Sequence, residues 1–271
     1  MCRVNIVIIT CCPEKYLYEC LASIKAQTCR DFSVLIVLNG QAEPYLSQIR
    51  GYIGSLEMTD CRVIYSPEAG LALARSIALN EADAEYILFV DDDDFLNPEY
   101  LAEMMHHARP DHIAAPEFIG FTDGDMASSM PYYVGREFRS GKVPLKNCPP
   151  EKCISVFNLV NGHLIPLNVV GSERFEGHHF YGEDAFFMFR LLAGHLKAVD
   201  HVPQAKYFHR IRKNSNSRSG SFWKKAEYSI LMWHKHTVFY LKHIGKVGFF
   251  IYLRRLAAIF KGLLYKIFSK G

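Results

Sequence analysis

The chain has eight cysteines (2, 11, 12, 20, 29, 61, 148 and 153), yet none are at C-x-x-C spacing, and four fall where strand ends or helices are expected. That pattern argues against a structural zinc site and against a disulfide scaffold. No glycine-rich phosphate loop followed by a basic residue comes after the first apolar run, so the P-loop signature is missing. No window reaches the roughly 20 uninterrupted apolar residues of a spanning helix, because Arg254-Arg255 split the one hydrophobic tract worth considering. The opening run Val4-Asn5-Ile6-Val7-Ile8-Ile9 is too short for a signal-peptide core and lacks a small-residue cleavage site, so a reducing cytoplasmic setting is expected. Acid is almost absent from the last quarter. Residues 206–271 carry 15 Lys and Arg against the single acid Glu227, a net of +14, whereas residues 1–205 hold 16 basic and 27 acidic residues, a net of −11. Such asymmetry predicts an anionic partner for the tail. With no helix-turn-helix, zinc-finger or RNA-binding signature beside the charge, a membrane surface is expected and nucleic acid is not.

What is present suffices for a full core. The 271 residues, 49% of them hydrophobic, fit one large domain or one and a half. Through the first hundred residues, β-branched runs alternate with helical periodicity. Val4 to Thr10 reads as a buried strand, and Pro13-Glu14 opens a helix in which Leu17, Leu21 and Ile24 share a face. Phe32 to Leu38 is a strand closed by the turn Asn39-Gly40. Glu43 to Leu56 is expected to be helical, Arg62 to Tyr65 a short strand, Leu71 to Glu81 a helix just after Gly70, and Tyr86 to Val90 the fourth strand. Strict alternation implies right-handed crossovers and an α/β fold: a Rossmann-like, mainly parallel sheet flanked by helices, with ligands at the strands' carboxyl ends. Thr10, Asn39 and Asp91 fall at such ends.

Four adjacent carboxylates, Asp91 to Asp94, follow the apolar run Tyr86 to Val90. They repel one another, so their position where a buried strand meets a loop calls for a cation. On an extended segment side chains two apart point to the same side, which would let Asp91 and Asp93 converge while Asp92 and Asp94 point elsewhere. Oxygen ligands of this kind suit Mg²⁺ or Mn²⁺ shared with substrate phosphates. The same run also reads as an acidic turn before a helix that Asn97-Pro98 would cap.

From about Leu96 to Ala205 the pattern is less regular, and this stretch is read as shaping a second substrate's pocket. Within it Tyr181-Gly182-Glu183-Asp184 leads into Ala185 to Leu192, where Phe186, Phe189 and Arg190 recur at helical spacing. Glu183 or Asp184 is either a functional acid or a carboxylate favoured at a helix start by the helix dipole. Near the end, Phe249, Leu253, Leu256, Phe260, Leu263 and Ile267 repeat at helical spacing, with Arg254, Arg255, Lys261 and Lys266 opposite. A basic amphipathic helix of this type lies in an anionic membrane interface. The other reading is a terminal helix packed on its own domain with a solvated charged face.

The segments together resemble the family 2 glycosyltransferases, whose GT-A fold transfers a sugar from a nucleotide donor. Val4 to Thr10, Tyr16-Leu17-x-x-Cys20-Leu21-x-Ser23-Ile24 and Gln27-Thr28-x-x-Asp31-Phe32 resemble the family's opening strand, helix and "QT...DF" segment. Gly70-x-x-x-Ala74-Arg75 resembles its glycine and arginine before the metal strand, and Phe89 to Asp94 its "FLDADD" metal motif. Glu183-Asp184 resembles its acidic pair with the catalytic base, and Tyr207 to Ser217 its closing "YRxHxxSxS". Two places depart from the family. Leu38-Asn39-Gly40-Gln41 stands where "DDGS" is usual, so the acid that reads the base is absent and Asn39 substitutes in part. Arg212 stands where histidine is common, with His209 three residues earlier; the arginine offers a cationic fork for diphosphate oxygens, the histidine a metal ligand.

The resemblance implies an inverting, metal-dependent hexosyltransferase moving a sugar from a nucleotide-diphosphate donor, a UDP-sugar first of all, to a hydroxyl of a cell-envelope glycan or lipid-linked acceptor. Asp93, Asp91 and His209 would hold Mn²⁺ or Mg²⁺, and Thr10, Asn39, Arg75, Asp91, Asp92 and Arg212 would bind the donor. Asp184 would be the general base, with Glu183 orienting the acceptor. Residues 1–95 would form the nucleotide-sugar half, 96–218 the acceptor-binding and catalytic half, and 219–271 a helical tail on the cytoplasmic face of the membrane. Two other readings use the same residues: a metal-dependent nucleotidyltransferase, and a non-catalytic, membrane-associated relative that binds nucleotide sugar or glycan.

Overall fold

A computed structural model of the chain describes residues 3–176, 182–212 and 222–268. In chain order the elements are β1 (Val4–Thr10), α1 (Lys15–Lys25), β2 (Phe32–Asn39), α2 (Tyr45–Ser55), β3 (Cys61–Ser66), α3 (Leu71–Glu81), β4 (Tyr86–Asp91), β5 (Phe95–Leu96) and α4 (Tyr100–His106). They continue with β6 (His112–Thr122), β7 (Asp125–Pro131), α5 (Arg136–Arg139), β8 (Leu164–Pro166), α6 (Leu167–Val170), α7 (Glu183–Arg190), β9 (Ala198–Ile211), α8 (Phe222–Lys242) and α9 (Phe249–Phe268). A 3₁₀ turn spans Ile154–Asn158.

One sheet carries the molecule, in the order β3-β2-β1-β4-β8-β6-β9-β5, with β7 paired to β6. Strands β1 to β4 are parallel neighbours, while β8 runs antiparallel to both β4 and β6. Residues two apart on a strand share a face, and β1 uses this to feed two cores. Val4, Ile6 and Ile8 pack with Leu17, Leu21 and Ile24 of α1. Val7 faces the other way, toward Ala74 and Ala78 of α3, Phe187 of α7 and Leu191 just beyond it. Burial on both faces explains why the strand reads as a continuous apolar run rather than an alternating one.

The first hundred residues match the sequence expectation within one or two positions, and Leu71–Glu81 coincides with it. The middle departs from it. The irregular stretch contains the 11-residue β6 and the 14-residue β9, paired in parallel along most of their length. Asn97 does not cap α4. Its amide donates to Gln204 O at 3.2 Å and its Oδ1 accepts the Lys206 N–H at 2.8 Å, which ties β9 to the chain beyond the acidic run. Helix α7 starts at Glu183, so both acids lie in its first turn.

Gly162 fixes the loop opposite β4. Its φ is +76°, and a Cβ there would lie 2.8 Å from the Phe118 and Tyr207 rings, so only glycine fits. Its N–H donates to Phe89 O at 2.8 Å, which sets Asn161 beside the carboxyl end of β4.

The tail is the helix pair α8 and α9. The expected stripe is exposed at Phe249, Leu253 and Phe260, but Ile251 and Arg255 are buried against the body. Arg255 is therefore not on a solvated face, and the amphipathic and packed readings each describe one side of α9. Side chains beyond Lys261, Leu263, Lys266 and Ile267 among them, lie outside the described residues. Among the described residues, no helix is long and apolar enough to cross a membrane.

Candidate active site

The acidic run does not stay extended. The Asp94 N–H donates to Asp91 O at 3.1 Å, closing a turn at the end of β4. A turn of this kind brings residues three apart together, so alternation fails and Asp94, not Asp93, returns toward Asp91. Asp94 is 1% exposed. It accepts the Arg210 N–H at 2.8 Å and lies 3.1 Å from His209 Nδ1. Asp91, Asp94 and His209 each offer one ligand atom, all within 4.8 Å of one another. Asp93 turns to Arg212, whose Nε is 2.7 Å from its Oδ2. Asp92 accepts from Thr10 Oγ1 at 2.5 Å. The expectation that Asp91 and Asp93 share a site while Asp92 and Asp94 point away is thus replaced by an Asp91, Asp94 and His209 cluster.

Burial raises the carboxyl pKa values of Asp91, Asp92 and Asp93. Asp91 stands well above the usual range because it is desolvated and faces Asp94, with Arg75 opposing. Desolvation pushes Asp92 up to about 6 against the Thr10 hydrogen bond. Asp93 is raised by burial and then by Asp94, with Arg212 pulling it down. Burial would lower His209, but its bond to Asp94 and the surrounding carboxylates hold it at about 9. With the His209 proton displaced on binding, two carboxylates and an imidazole are a fitting donor set for a divalent cation, and the mixed oxygen and nitrogen ligands suit Mn²⁺ better than Mg²⁺.

Arg75 links this cluster to a second one. From the middle of α3 its guanidinium, 2% exposed, bonds Asp184 and reaches Glu183 at 3.4 Å, Asn161 at 3.3 Å and Asp91 at 3.9 Å. The Phe175 ring lies 5.4 Å beneath it. Burial works against its charge, but Asp184, Asp91 and Glu183 hold its pKa above the ordinary value. Arg75 is therefore a buried counter-ion for three acids rather than an open charge waiting for phosphate. Gly182, at φ +93°, turns the chain into α7 and aims both acids at it. Desolvation, then the Asp184 charge, pushes Glu183 up to about 7, with Arg75 opposing. Burial likewise raises Asp184, restrained by Arg75 and the Val160 N–H.

Asn39 is placed at the carboxyl end of β2 but is spent on the fold. Its Nδ2 donates to Thr10 O at 3.0 Å and its Oδ1 accepts the Gly70 N–H at 3.0 Å, stapling two strand ends to the start of α3. Leu38 is fully buried. Arg212 is partly exposed and sits between Asp93 and Glu14, 3.6 Å away, over the Tyr16 ring. Sequence reasoning missed Asn161 and Arg210. The latter donates to Asp93 O, Asp123 and Glu19, and so braces the acidic turn. No local pattern marks Asn161, whereas Arg210 lies in the closing motif beside His209. His178, His179 and Tyr181 lie outside the described residues, as does the motif's end at Ser217.

The family model described as Glycosyl transferase family 2 matches residues 5–149. Putative glycosyltransferase EpsH of Bacillus subtilis (strain 168) is 30% identical over 96 residues, covering 35% of this chain and 27% of that protein. Poly(ribitol-phosphate) beta-N-acetylglucosaminyltransferase TarS of Staphylococcus aureus (strain Mu50) is 29% identical over 105 residues, covering 38% of this chain and 18% of that protein. The matched segments thus span less than a third of either relative. The crystal structure of S. aureus TarS 1-349 in complex with UDP-GlcNAc superposes with a TM-score of 0.64 at 20% identity, over 86% of this chain and 66% of that one. At that identity the likeness is one of fold.

Proposed function

The chain belongs to glycosyl transferase family 2, and from that premise we propose that it transfers a sugar from a nucleotide-diphosphate donor to an acceptor hydroxyl with inversion at the anomeric carbon. The observation that carries this reading is the pair of acid clusters joined by Arg75: Asp91, Asp94 and His209 on one side, Glu183 and Asp184 on the other. Transfer needs both. The leaving diphosphate develops negative charge, and the attacking hydroxyl must lose a proton.

Asp91, Asp94 and His209 would hold the divalent cation, which when bound would neutralise charge on the leaving diphosphate. Arg212 stands close enough to the acidic turn to exchange Asp93 for a phosphate oxygen. Asp184 takes the proton from the acceptor hydroxyl, and Arg75 keeps it ionised against the burial that would otherwise protonate it. Glu183 positions the acceptor. A UDP-sugar is the favoured donor, because TarS, whose fold this chain shares, was crystallised with UDP-GlcNAc. A cell-envelope glycan or lipid-linked molecule is the favoured acceptor. The tail supports that choice: Ile230, Trp233, Phe249, Phe250, Leu253 and Phe260 are exposed on helices almost free of acid, as a helix pair on the cytoplasmic face of an anionic membrane would need.

The test is thermal stabilisation of the full chain by UDP, GDP, CDP, dTDP and CMP, each with and without Mn²⁺. A ligand at about 100 times its Kd adds roughly 2.7 kcal/mol. A Mn²⁺-dependent shift with UDP is expected, followed by UDP release from a UDP-sugar. Absence of a shift with every nucleotide would sink the proposal.

A further inference from the structure

We propose that Arg255 of α9 and His236 of α8 form a buried anion subsite that takes a phosphate group of the acceptor. The inference rests on the reading above that Glu183 and Asp184 face the acceptor.

Arg255 is 3% exposed, and no carboxylate among the described residues is within salt-bridge distance of it. Its Nη1 donates to the Asn158 side-chain oxygen, while its Nε has no hydrogen-bond partner among the described residues. His236 is 1% exposed. Its Nδ1–H donates to Met232 O at 2.7 Å, which leaves Nε2, also without a hydrogen-bond partner among the described residues, to accept from a phosphate hydroxyl or a bound water. The two groups feel each other, since burial and then the Arg255 charge push His236 down to about 3. Burial likewise lowers Arg255 to about 10. Every other strongly buried guanidinium described above, those of Arg75 and Arg210, has carboxylates around it. A buried charge without a counter-ion is costly, and the missing counter-ion here has the chemistry of an oxyanion. The planar fork of arginine suits phosphate oxygens.

The position fits an acceptor. His236 packs on Phe186 and Phe189 at 4.9 and 4.8 Å between ring centroids, and Phe186 lies one helical turn beyond Glu183 on α7. Asn158 leads into Val160 and Asn161, which bond Asp184 and Arg75 respectively. A chain of contacts thus runs from Arg255 through the segment 158–161 to Arg75 and the acid pair. On the opposite, outward side α9 presents Phe249, Phe250 and Leu253 to the surface.

Inorganic pyrophosphate, at fixed ionic strength and with UDP and Mn²⁺ saturating, should stabilise the full-length wild type, and Arg255→Met should weaken that binding at least tenfold. Asn158→Ala, which removes only the amide bond, should keep the response. Arg255→Met should also melt no lower than wild type without pyrophosphate, because it deletes an unpaired buried charge. Equal pyrophosphate responses in wild type and Arg255→Met, or no response in wild type, would overturn the subsite. If UDP fails to bind the wild type, the donor reading fails, while the pyrophosphate comparison still reports on Arg255. Phosphatidylcholine vesicles with and without phosphatidic acid identify the source. Weakened binding of Arg255→Met to the acidic vesicles as well as to pyrophosphate assigns a lipid phosphate, and weakened pyrophosphate binding alone assigns a soluble phosphate ester.

Discussion

Arg75 donates to Asp184 across 109 residues of chain, from the middle of α3 to the first turn of α7. Through the same guanidinium, whose Nη2 lies 3.9 Å from Asp91 Oδ1, Asp184 is coupled to Asp91. The acid that would take the proton and the acid that would hold the cation therefore share one buried counter-ion, so each site's charge affects the other.

Removing that counter-ion should be expensive. Arg75→Met would leave Asp91, Glu183 and Asp184 buried without their cation, and breaking a buried charged network typically costs about 3–5 kcal/mol. A fall of this size in denaturant unfolding free energy is expected, with the loss smaller at acid pH, because burial favours the protonated form of all three acids. A variant as stable as wild type at pH 7 would show that the carboxylates find other partners.

Asp184→Asn keeps the shape but not the basicity. Transfer should fall by about a hundredfold or more, the scale of a positioned general base, while nucleotide affinity stays within about twofold. Steady-state rates and a UDP titration on the same preparation separate the two effects. Near-normal turnover would remove Asp184 from the role and point to Glu183.

The doubly wound half was legible because β1 to β4 are buried on both faces and their helices carry one-sided periodicity, as at Leu17, Leu21 and Ile24. The later strands were not legible. Residues of β6 such as Pro116 and Glu117 sit at a register shift against β9, and neither strand has the local alternation that betrays a half-buried ladder. At the site, residue types gave the acids and His209 but not their grouping. Alternation on an extended chain put Asp93 with Asp91, and the turn closed by Asp94 N–H to Asp91 O reversed that. Asn39 reads as a ligand residue in sequence, and only the Thr10 and Gly70 contacts reveal that its amide is occupied. Arg255 reads as a solvated charge because its burial depends on where α9 docks, which helical spacing does not encode.

The regrouping makes a sharp comparison between neighbours. Asp94→Asn should abolish the Mn²⁺ dependence of UDP binding, whereas Asp93→Asn, which loses an ion pair with Arg212, should weaken UDP binding by about tenfold and retain the metal dependence. Calorimetric titration with and without Mn²⁺ reads both. The reverse ranking would restore Asp93 as the ligand.

The acid pair also sets a pH dependence. Glu183 rises from an ordinary value of 4.5 to about 7 in the folded protein, so between these values the folded state holds more protons than the unfolded one. Stability then falls as pH rises through this window, with full benefit below 4.5 and its loss complete above about 7. Asp92, raised from 3.8 to about 6, adds in the same direction. Buried His236, lowered to about 3, works in the opposite direction below 6.5, so the reading is the difference between variants. In metal-free buffer Glu183→Gln should lose a pH-dependent contribution of ~1–3 kcal/mol that wild type sheds between pH 4.5 and 7. Parallel curves for wild type and Glu183→Gln would mean that Arg75 outweighs desolvation at this carboxyl.

The two sides of α9 call for a different membrane test from removal of the helix. Truncation before Phe249 would discard Ile251 and Arg255, which are buried, and the Arg254 contact to Glu151 O at 3.1 Å, so lost vesicle binding would be mixed with lost packing. Phe250 and Phe260 are 76% and 59% exposed, so replacing them removes little from the fold. Phe250→Asp with Phe260→Asp takes two aromatic anchors out of the interface and sets like charge against anionic lipid, where each basic residue near the surface contributes about 1 kcal/mol. The double variant should lose at least tenfold in affinity for vesicles containing phosphatidylglycerol, with its melting temperature within a few degrees of wild type. Unchanged co-sedimentation with the vesicles would assign the exposed stripe to some other role and leave α9 as a packing helix alone.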